Sequence, residues 1–261
     1  KNENQDCEGA DRRSLNLPYG QDELIGELAR VNRNLVAVII SGNAVAMPWV
    51  NEVPAIVEAW YGGTEAGNAI ASVLAGEVNP SGKLPFTFPV RLEDNPAIAL
   101  DAYPGDGKQV EYKEGIFVGY RWNDRERIKP LFCFGHGLSY TTFEYGKVTA
   151  EGRQMGPDGT ITVSVPVKNT GSRAGAEIVQ LYVSDLKSSL PRPVKELKGF
   201  RKITLQPGQE QTVSFTIDRK ALSFYDDTKQ DWVAEPGAFE ALVGASACDI
   251  RGKVAFELTA R

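Results

Sequence analysis

The hydrophobic pattern of this chain of 261 residues changes its period along the sequence, and this change constrains the fold more than any other feature. Residues 35–40 form one continuous apolar run, which is typical of parallel strands that helices cover on both faces. Beyond residue 160, apolar residues alternate with polar ones, which indicates strands with one buried face. The sequence therefore predicts an α/β layer followed by an all-β domain.

Residues 1–90 are predicted to form the C-terminal part of an α/β/α layered domain. Before the apolar run, four apolar residues recur at helical spacing: Leu24, Ile25, Leu28 and Val31. A second strand is expected over 55–61 and a second helix over 66–75, with Thr64 as its N-cap. Residues 84–89 contain two prolines and are expected to form an extended edge element.

Residues 91–145 have a weaker pattern, rich in Pro, Gly and Asp, and are predicted to be a connecting segment with one strand over 115–122. Residues 146–261 are predicted to form an antiparallel β-sandwich, because short alternating strands are separated by Gly and Pro turns. The positions predicted to face its core are Ile161, Val163, Val165, Val167, Val179, Leu181, Val183, Val213, Phe215, Ile217, Phe239, Ala241 and Val243.

The three cysteines, Cys7, Cys133 and Cys248, are far apart in the sequence. They are too few for a disulfide scaffold, and an odd number leaves at least one thiol unpaired. We therefore expect no disulfide bond to hold the sandwich together.

Composition argues against several functional classes. The net charge is −5, and no cluster of Lys and Arg is present that would follow a phosphate backbone, which argues against nucleic acid as a partner. The apolar runs are shorter than a membrane-spanning helix requires. His136 is the only histidine, and neither a G-x-S-x-G elbow nor a P-loop occurs. An α/β-hydrolase and a nucleotide-binding domain are therefore disfavoured.

Trp49 and Trp60 follow predicted strand ends, and their flat faces suit the stacking of sugar rings. Packing within the domain is the more common use of such residues, and we favour it here. Glu65 and Lys83 are expected to serve helix capping and local ion pairing.

Five sequence runs follow one another in a fixed order: 7–12 (Cys-Glu-Gly-Ala-Asp-Arg), 60–67, 79–85, 118–121 and 134–140. This ordered set resembles the C-terminal part of family 3 glycoside hydrolases of the β-glucosidase type. The predicted sandwich resembles the fibronectin type III-like domain with which many of these enzymes end. The chain itself is interpreted as a C-terminal fragment that lacks the N-terminal (β/α)8 barrel of that family.

The resemblance implies that Glu8 is the catalytic general acid/base, with Asp11 and Arg12 supporting its loop. Read from composition alone, Glu8 would be a solvated carboxylate. Retaining hydrolysis requires two carboxyl groups about 5 to 5.5 Å apart. In the family the nucleophile is an Asp on the barrel, so it is not expected in this chain. No metal or organic cofactor is implied.

The function implied is that of a retaining, exo-acting β-glycosidase, best described as a β-glucosidase acting on β-glucosides or oligosaccharides. β-Xylosidase, exo-glucanase and a non-catalytic glycan-binding or scaffold protein remain alternatives. The partners expected are the substrate and the missing barrel, with a homodimer as a further option. By the same resemblance the protein is expected to be periplasmic or secreted, and the fragment alone is expected to be inactive.

Overall fold

The computed structural model describes residues 12–260, which divide into two compact units. The first unit comprises the described residues up to Val78, together with Thr87–Lys113 and Lys129–Phe132. The second comprises Asn79–Phe86, Glu114–Ile128 and the residues from Cys133 onward. Residues of the predicted connecting segment therefore occur in both units, and the boundaries predicted at residues 90 and 145 stay a prediction.

The first unit contains the predicted α/β arrangement. Its helices and strands are α1 (Gln21–Val31), β1 (Val36–Ile39), β2 (Ala55–Glu58), α2 (Ala66–Leu74) and α3 (Pro96–Ala99). Strands β1 and β2 pair in parallel, with Val36 opposite Ala55 and Ile39 opposite Glu58. Because the two strands are parallel, the loops that follow them leave from the same edge of the sheet.

The burial of β1 differs from the prediction. Ala37 and Ile39 are buried, whereas Val36 is exposed and Val38 is only partly covered. The prediction that helices cover both faces of this strand is therefore wrong for the described residues, since one face keeps contact with solvent. Apolar residues of α1 are exposed in the same way, among them Leu24 and Leu28.

The predicted cap of the second helix is also wrong. A 3₁₀ turn at Gly63–Glu65 precedes α2, and Thr64 lies inside that turn. The N-cap residue of α2 is Glu65. Between residues 12 and 260, no helix combines the length and the apolar character needed to cross a membrane.

The second unit is the predicted sandwich with additional segments packed on it. Its elements are α4 (Tyr120–Glu126), β3 (Phe143–Tyr145), β4 (Thr149–Ala150), β5 (Gln154–Met155), β6 (Thr160–Asn169), β7 (Gly175–Asp185), β8 (Glu196–Leu205), β9 (Glu210–Asp218), α5 (Arg219–Leu222), β10 (Phe224–Asp226), β11 (Asp231–Val233), β12 (Gly237–Gly244) and β13 (Ile250–Leu258). One sheet has the order β5-β13-β12-β7-β8, and in the other β6 pairs with β3, β4 and β9. Strands β10 and β11 form a separate hairpin.

The core of the sandwich confirms the period-two prediction. All thirteen positions predicted to face the core are buried and belong to one apolar cluster. The alternation works because β6 and β9 supply one wall and β7 and β12 supply the other. Phe239 and Phe256 stack across β12 and β13 with ring centroids 5.7 Å apart.

The strand predicted over 115–122 is wrong, because residues 113–116 form a turn and α4 begins at Tyr120. Gly119 starts the helix with a φ of 57°, a left-handed value that favours glycine and turns the chain out of an extended path. Trp122 is buried, and the guanidinium of Arg125 lies 4.7 Å from the centre of its ring.

A disulfide bond joins Cys133 to Cys248, with a Cα–Cα distance of 6.0 Å. The expectation that no disulfide holds the sandwich is therefore wrong. The backbone N–H of Ala247 donates to the carbonyl oxygen of Phe134 at 3.0 Å, so the two loops are already adjacent where the sulfur atoms meet. The bond attaches the segment before the sandwich to the turn between β12 and β13.

Candidate functional site

The segment that follows the predicted acid/base is anchored by the loop after β1. Nη1 of Arg12 donates to the carbonyl oxygen of Ala44 at 3.0 Å. The backbone N–H of Ala46 donates to the carbonyl oxygen of Leu15 at 2.7 Å. Ala44 and Ala46 are buried, which makes both anchors parts of a packed loop. The Arg12 side chain therefore ties this segment to the loop after β1. Its supporting role for Glu8 stays a prediction.

Glu8 and Asp11 lie outside the described residues. The catalytic role of Glu8 and the supporting role of Asp11 stay predictions.

Asp22 is a second anchor, which the sequence analysis missed. Its Oδ1 accepts from Nε1 of Trp49 at 2.7 Å, and its Oδ2 accepts from the backbone N–H of Leu17 at 3.0 Å. One carboxylate thus ties the first turn of α1 both to the incoming segment and to the loop after β1. The only sequence signal for it is an acid in the first helical turn, which helix-dipole stabilisation explains equally well.

The structure supports packing for Trp49 and Trp60. Trp49 is 2% exposed, and its N–H group is bonded to Asp22. Trp60 follows β2 with a φ of 51° and packs edge-on against Phe88, with the ring centroids 6.1 Å apart. Its backbone N–H donates to Oε1 of Glu58 at 3.1 Å. Both indoles therefore take part in the packing of the first unit.

A shallow depression lies beside the anchored segment. It has a volume of about 190 Å³ and is lined by residues 13–16, by Ala46 and by residues 90–93. Nε of Arg91 donates to Oδ1 of Asp94 at 2.9 Å, which fixes one side chain of the rim. Within its lining, the backbone N–H of Asn16 donates to Oγ of Ser14 at 3.1 Å.

The anchored segment lies on the sheet edge where ligands of open α/β sheets bind. The loop that holds Arg12 follows the carboxyl end of β1, and Trp60 follows the carboxyl end of β2. In open parallel sheets, ligands bind outside the carboxyl ends of the strands. The first unit therefore presents the Arg12 segment in the position that this rule assigns to a binding site.

The sequence runs 79–85 and 134–140 come together in the second unit, where their contacts are structural. Nζ of Lys83 forms an ion pair with Oε1 of Glu177 at 3.0 Å and donates to the carbonyl oxygen of Gly137 at 2.8 Å. Burial, together with the positive charge of Lys83, lowers the pKa of His136 below its ordinary value. Lys83 is therefore paired as expected, although its partner is a residue of strand β7 and not a neighbour in the sequence.

The run 118–121 packs on the strand β8. The hydroxyl of Tyr120 accepts from the backbone N–H of Leu197 at 2.9 Å, and Nη2 of Arg121 lies 3.5 Å from Oε1 of Glu196.

Oε2 of Glu65, in the run 60–67, accepts from Nδ2 of Asn68 at 2.6 Å, so Glu65 has a local partner. Among residues 12–260, no three His, Cys, Asp or Glu residues are grouped as they would be around a metal ion.

Two family models match this chain. Residues 1–120 match the glycosyl hydrolase family 3 C-terminal domain, and residues 177–247 match the fibronectin type III-like domain. The two matches follow the order of an α/β part and a sandwich, and the structure has the same order.

Among similar proteins is "Beta-glucosidase BoGH3A" of Bacteroides ovatus, which is 59% identical over 259 residues, covering 98% of this chain and 35% of that protein. "Thermostable beta-glucosidase B" of Acetivibrio thermocellus is 51% identical over 245 residues, covering 94% and 32%. A crystal structure of the β-glucosidase from Kluyveromyces marxianus with glucose superposes with a TM-score of 0.90 at 43% identity, covering 97% and 30%. This chain therefore spans about a third of the length of the curated relatives it matches.

Proposed function

Because this chain belongs to glycosyl hydrolase family 3, we propose that it forms the C-terminal portion of a retaining, exo-acting β-glucosidase. The reaction removes terminal β-D-glucosyl residues by double displacement. The proposal rests on the similarity to β-glucosidases over nearly the whole chain and on the anchored segment that follows Glu8.

In the proposed mechanism, Glu8 is the general acid/base. As a carboxylic acid it protonates the departing glycosidic oxygen, while an aspartate of the N-terminal portion attacks the anomeric carbon and forms the glycosyl-enzyme. As a carboxylate it then takes a proton from the water that attacks the anomeric carbon and releases glucose. Both steps require the carboxyl group of Glu8 to stay in a fixed position beside the bound sugar.

The Arg12 anchor supports that requirement. Four residues of fully extended chain span at most about 14 Å. The covalent chain therefore keeps the Cα atom of Glu8 within that distance of the Cα atom of Arg12. Arg12 and the backbone bond of Leu15 hold the C-terminal side of the loop to the buried residues that follow β1. We assign to Asp11 a supporting role in the same loop.

The N-terminal portion of the longer protein is the proposed partner of the first unit. Leu24 and Leu28 of α1 and Val36 of β1 are exposed. Apolar residues in this pattern are usually covered by a neighbouring layer of the protein. The barrel with its nucleophile, and the rest of the α/β layer, would cover such surface. The chain of 261 residues alone is therefore expected to lack β-glucosidase turnover. That the longer protein forms a homodimer stays a prediction, and size-exclusion chromatography can test it.

An assay of the longer protein separates the alternatives. We expect glucose release from the non-reducing ends of cellobiose and laminaribiose, with nitrophenyl β-glucoside preferred over nitrophenyl β-xyloside. A preference for the xyloside would favour a β-xylosidase, and a preference for long glucan chains would favour an exo-glucanase. Binding of glycans without hydrolysis in the longer protein would favour the non-catalytic alternative and contradict the proposal.

Replacement of Arg12 by Ala is expected to lower kcat/KM of the longer protein by about a hundredfold, because the loop that carries Glu8 loses its side-chain anchor. The matched control is Arg33→Ala, which removes the same charge from an exposed position. Steady-state kinetics of both variants, with circular dichroism to verify the fold, measure the difference. Equal activity of the two variants would contradict a positioning role for Arg12.

Export to the periplasm or the medium is proposed as well. The Cys133–Cys248 disulfide supports it, because structural disulfides persist in oxidising compartments and are rare in the cytosol.

A further inference from the structure

A short hairpin on the sandwich displays two aromatic rings on its outer face. Strands β10 and β11 pair antiparallel, with Tyr225 directly opposite Trp232. The two rings meet edge to face, with centroids 5.8 Å apart and planes inclined by 72°. Tyr225 is 52% exposed and Trp232 is 64% exposed, so about half or more of each residue contacts solvent.

The inner face of the hairpin carries the residues that hold it to the sandwich. Phe224 and Val233 form the neighbouring cross-strand pair and are partly buried. The guanidinium of Arg192 lies 5.3 Å from the centre of the Phe224 ring, and Arg192 is itself paired with Asp185 at 3.0 Å. Tyr225 and Trp232, the outer pair, therefore do not take part in the contacts that attach the hairpin to the sandwich.

The hairpin is also rigid at its turn. Oδ1 of the buried Asp226 accepts from the backbone N–H of Thr228 at 3.0 Å and from its hydroxyl at 2.6 Å, and Oδ2 pairs with Nζ of Lys229 at 2.7 Å. These bonds hold the pKa of Asp226 well below its usual range, and the bond from Lys229 contributes most to the shift. A turn fixed in this way presents the two rings in one arrangement, which lowers the entropic cost of binding.

We propose that Tyr225 and Trp232 form a carbohydrate-binding site that holds a neutral β-glucan chain. Pyranose rings of β-linked glucose present faces of C–H groups that pack against aromatic rings, while their hydroxyls remain free for polar neighbours. Tyrosine and tryptophan supply such faces together with a polar group at the rim. The proposed site lies on the sandwich.

The charges around the two rings select a neutral ligand. Asp226 and Lys229 neutralise each other, and the exposed Asp227 and Asp231 leave the turn negative. Anionic membranes, nucleic acid and acidic polysaccharides would be repelled by this turn. The other exposed side chains of the turn, from Asp227 to Asp231, are polar, so the apolar surface of the hairpin is two rings wide and fits a sugar chain better than a protein partner.

The choice of a β-glucan as the ligand rests on the proposed function, whereas the site itself does not. Its benefit for a β-glucosidase would be a higher local concentration of substrate chains.

Affinity gel electrophoresis of the whole chain tests the site. Hydroxyethylcellulose in the gel is the neutral probe, and carboxymethylcellulose supplies the same backbone with negative charge. We expect retardation by the neutral polymer and weaker retardation by the charged one. Trp232→Ala and Tyr225→Ala are each expected to weaken the retardation by about tenfold or more, and Trp232→Tyr should restore most of it.

The matched control is Tyr112→Ala, which removes an aromatic ring that is 81% exposed in the first unit. It should be retarded like the wild type, and thermal melts should show that all variants fold. Absence of retardation of the wild type, or equal retardation of Trp232→Ala and Tyr112→Ala, would overturn the proposal. So would protection of Trp232 from acrylamide quenching in the longer protein without glycan, since that would make the hairpin a contact between parts of one protein.

The two proposals fail separately. A longer protein that hydrolyses glucosides while its Trp232→Ala variant binds hydroxyethylcellulose normally contradicts only the hairpin site. If retardation of the chain depends on Trp232 but the longer protein has no hydrolytic activity, only the β-glucosidase function is contradicted.

Discussion

Replacement of Glu8 by Gln in the longer protein is expected to lower kcat/KM for cellobiose by about a thousandfold, because the amide cannot protonate the departing sugar oxygen. For a dinitrophenyl β-glucoside, whose leaving group needs little protonation, kcat/KM should fall much less. Its kcat should nevertheless fall strongly, since the second step still requires a base for the attacking water. Steady-state kinetics on both substrates separate the two roles.

The control for this prediction is Glu3→Gln, which changes a nearby acid that the family pattern does not mark. It is expected to leave both kinetic constants near those of the wild type. A Glu8→Gln variant that loses equal activity on cellobiose and on the dinitrophenyl glucoside would lack the signature of a general acid. In that case the loss would be attributed to the fold of the loop.

Removal of the Cys133–Cys248 disulfide is the second large effect expected. The bond closes a loop of 115 residues. Loops of that length correspond to about 2–5 kcal/mol of stabilisation, because the cross-link restricts the unfolded chain. The double variant Cys133→Ala/Cys248→Ala should therefore melt about 10 °C lower in calorimetry. Its fold should persist, because the apolar cluster of the sandwich is formed by other residues.

Two controls accompany the disulfide prediction. Reduction of the wild type should lower its melting temperature to that of the double variant and leave the double variant unchanged. Cys7→Ala should behave like the wild type. In the oxidised, denatured chain, thiol titration should find one of the three cysteines free. Three free thiols, or a melting temperature insensitive to reductant, would contradict the bond.

The elements that could be predicted from the sequence are those with a strong local pattern. The sandwich strands were predictable because burial of one face imposes a period of two, and every position assigned to the core by that pattern is buried. The first helix and the parallel pair were predictable for the same kind of reason. The match to the glycosyl hydrolase family 3 C-terminal domain was predictable from the order of the motifs.

The features that could not be predicted depend on contacts between distant residues or on the backbone. Cys133 and Cys248 carry no local signal for a bond across 115 residues. The acceptor for Arg12 is a main-chain carbonyl of Ala44, and a carbonyl leaves no mark in the sequence. For Trp49 and Trp60 the sequence analysis favoured packing over sugar stacking, but it gave no indication that Trp232 is 64% exposed. Exposure depends on which face of a strand the fold covers.

The central claim is that Glu8 acts as the acid/base of a retaining β-glucosidase, and azide rescue tests it most directly. The measurement uses Glu8→Ala in the longer protein with a nitrophenyl β-glucoside, with and without sodium azide, and identifies the product by NMR. Azide attacks the glycosyl-enzyme without the help of a base. We predict slow turnover that azide restores, with β-glucosyl azide as the product. Activity near that of the wild type without azide, or restored turnover that yields the α-azide, would contradict the account.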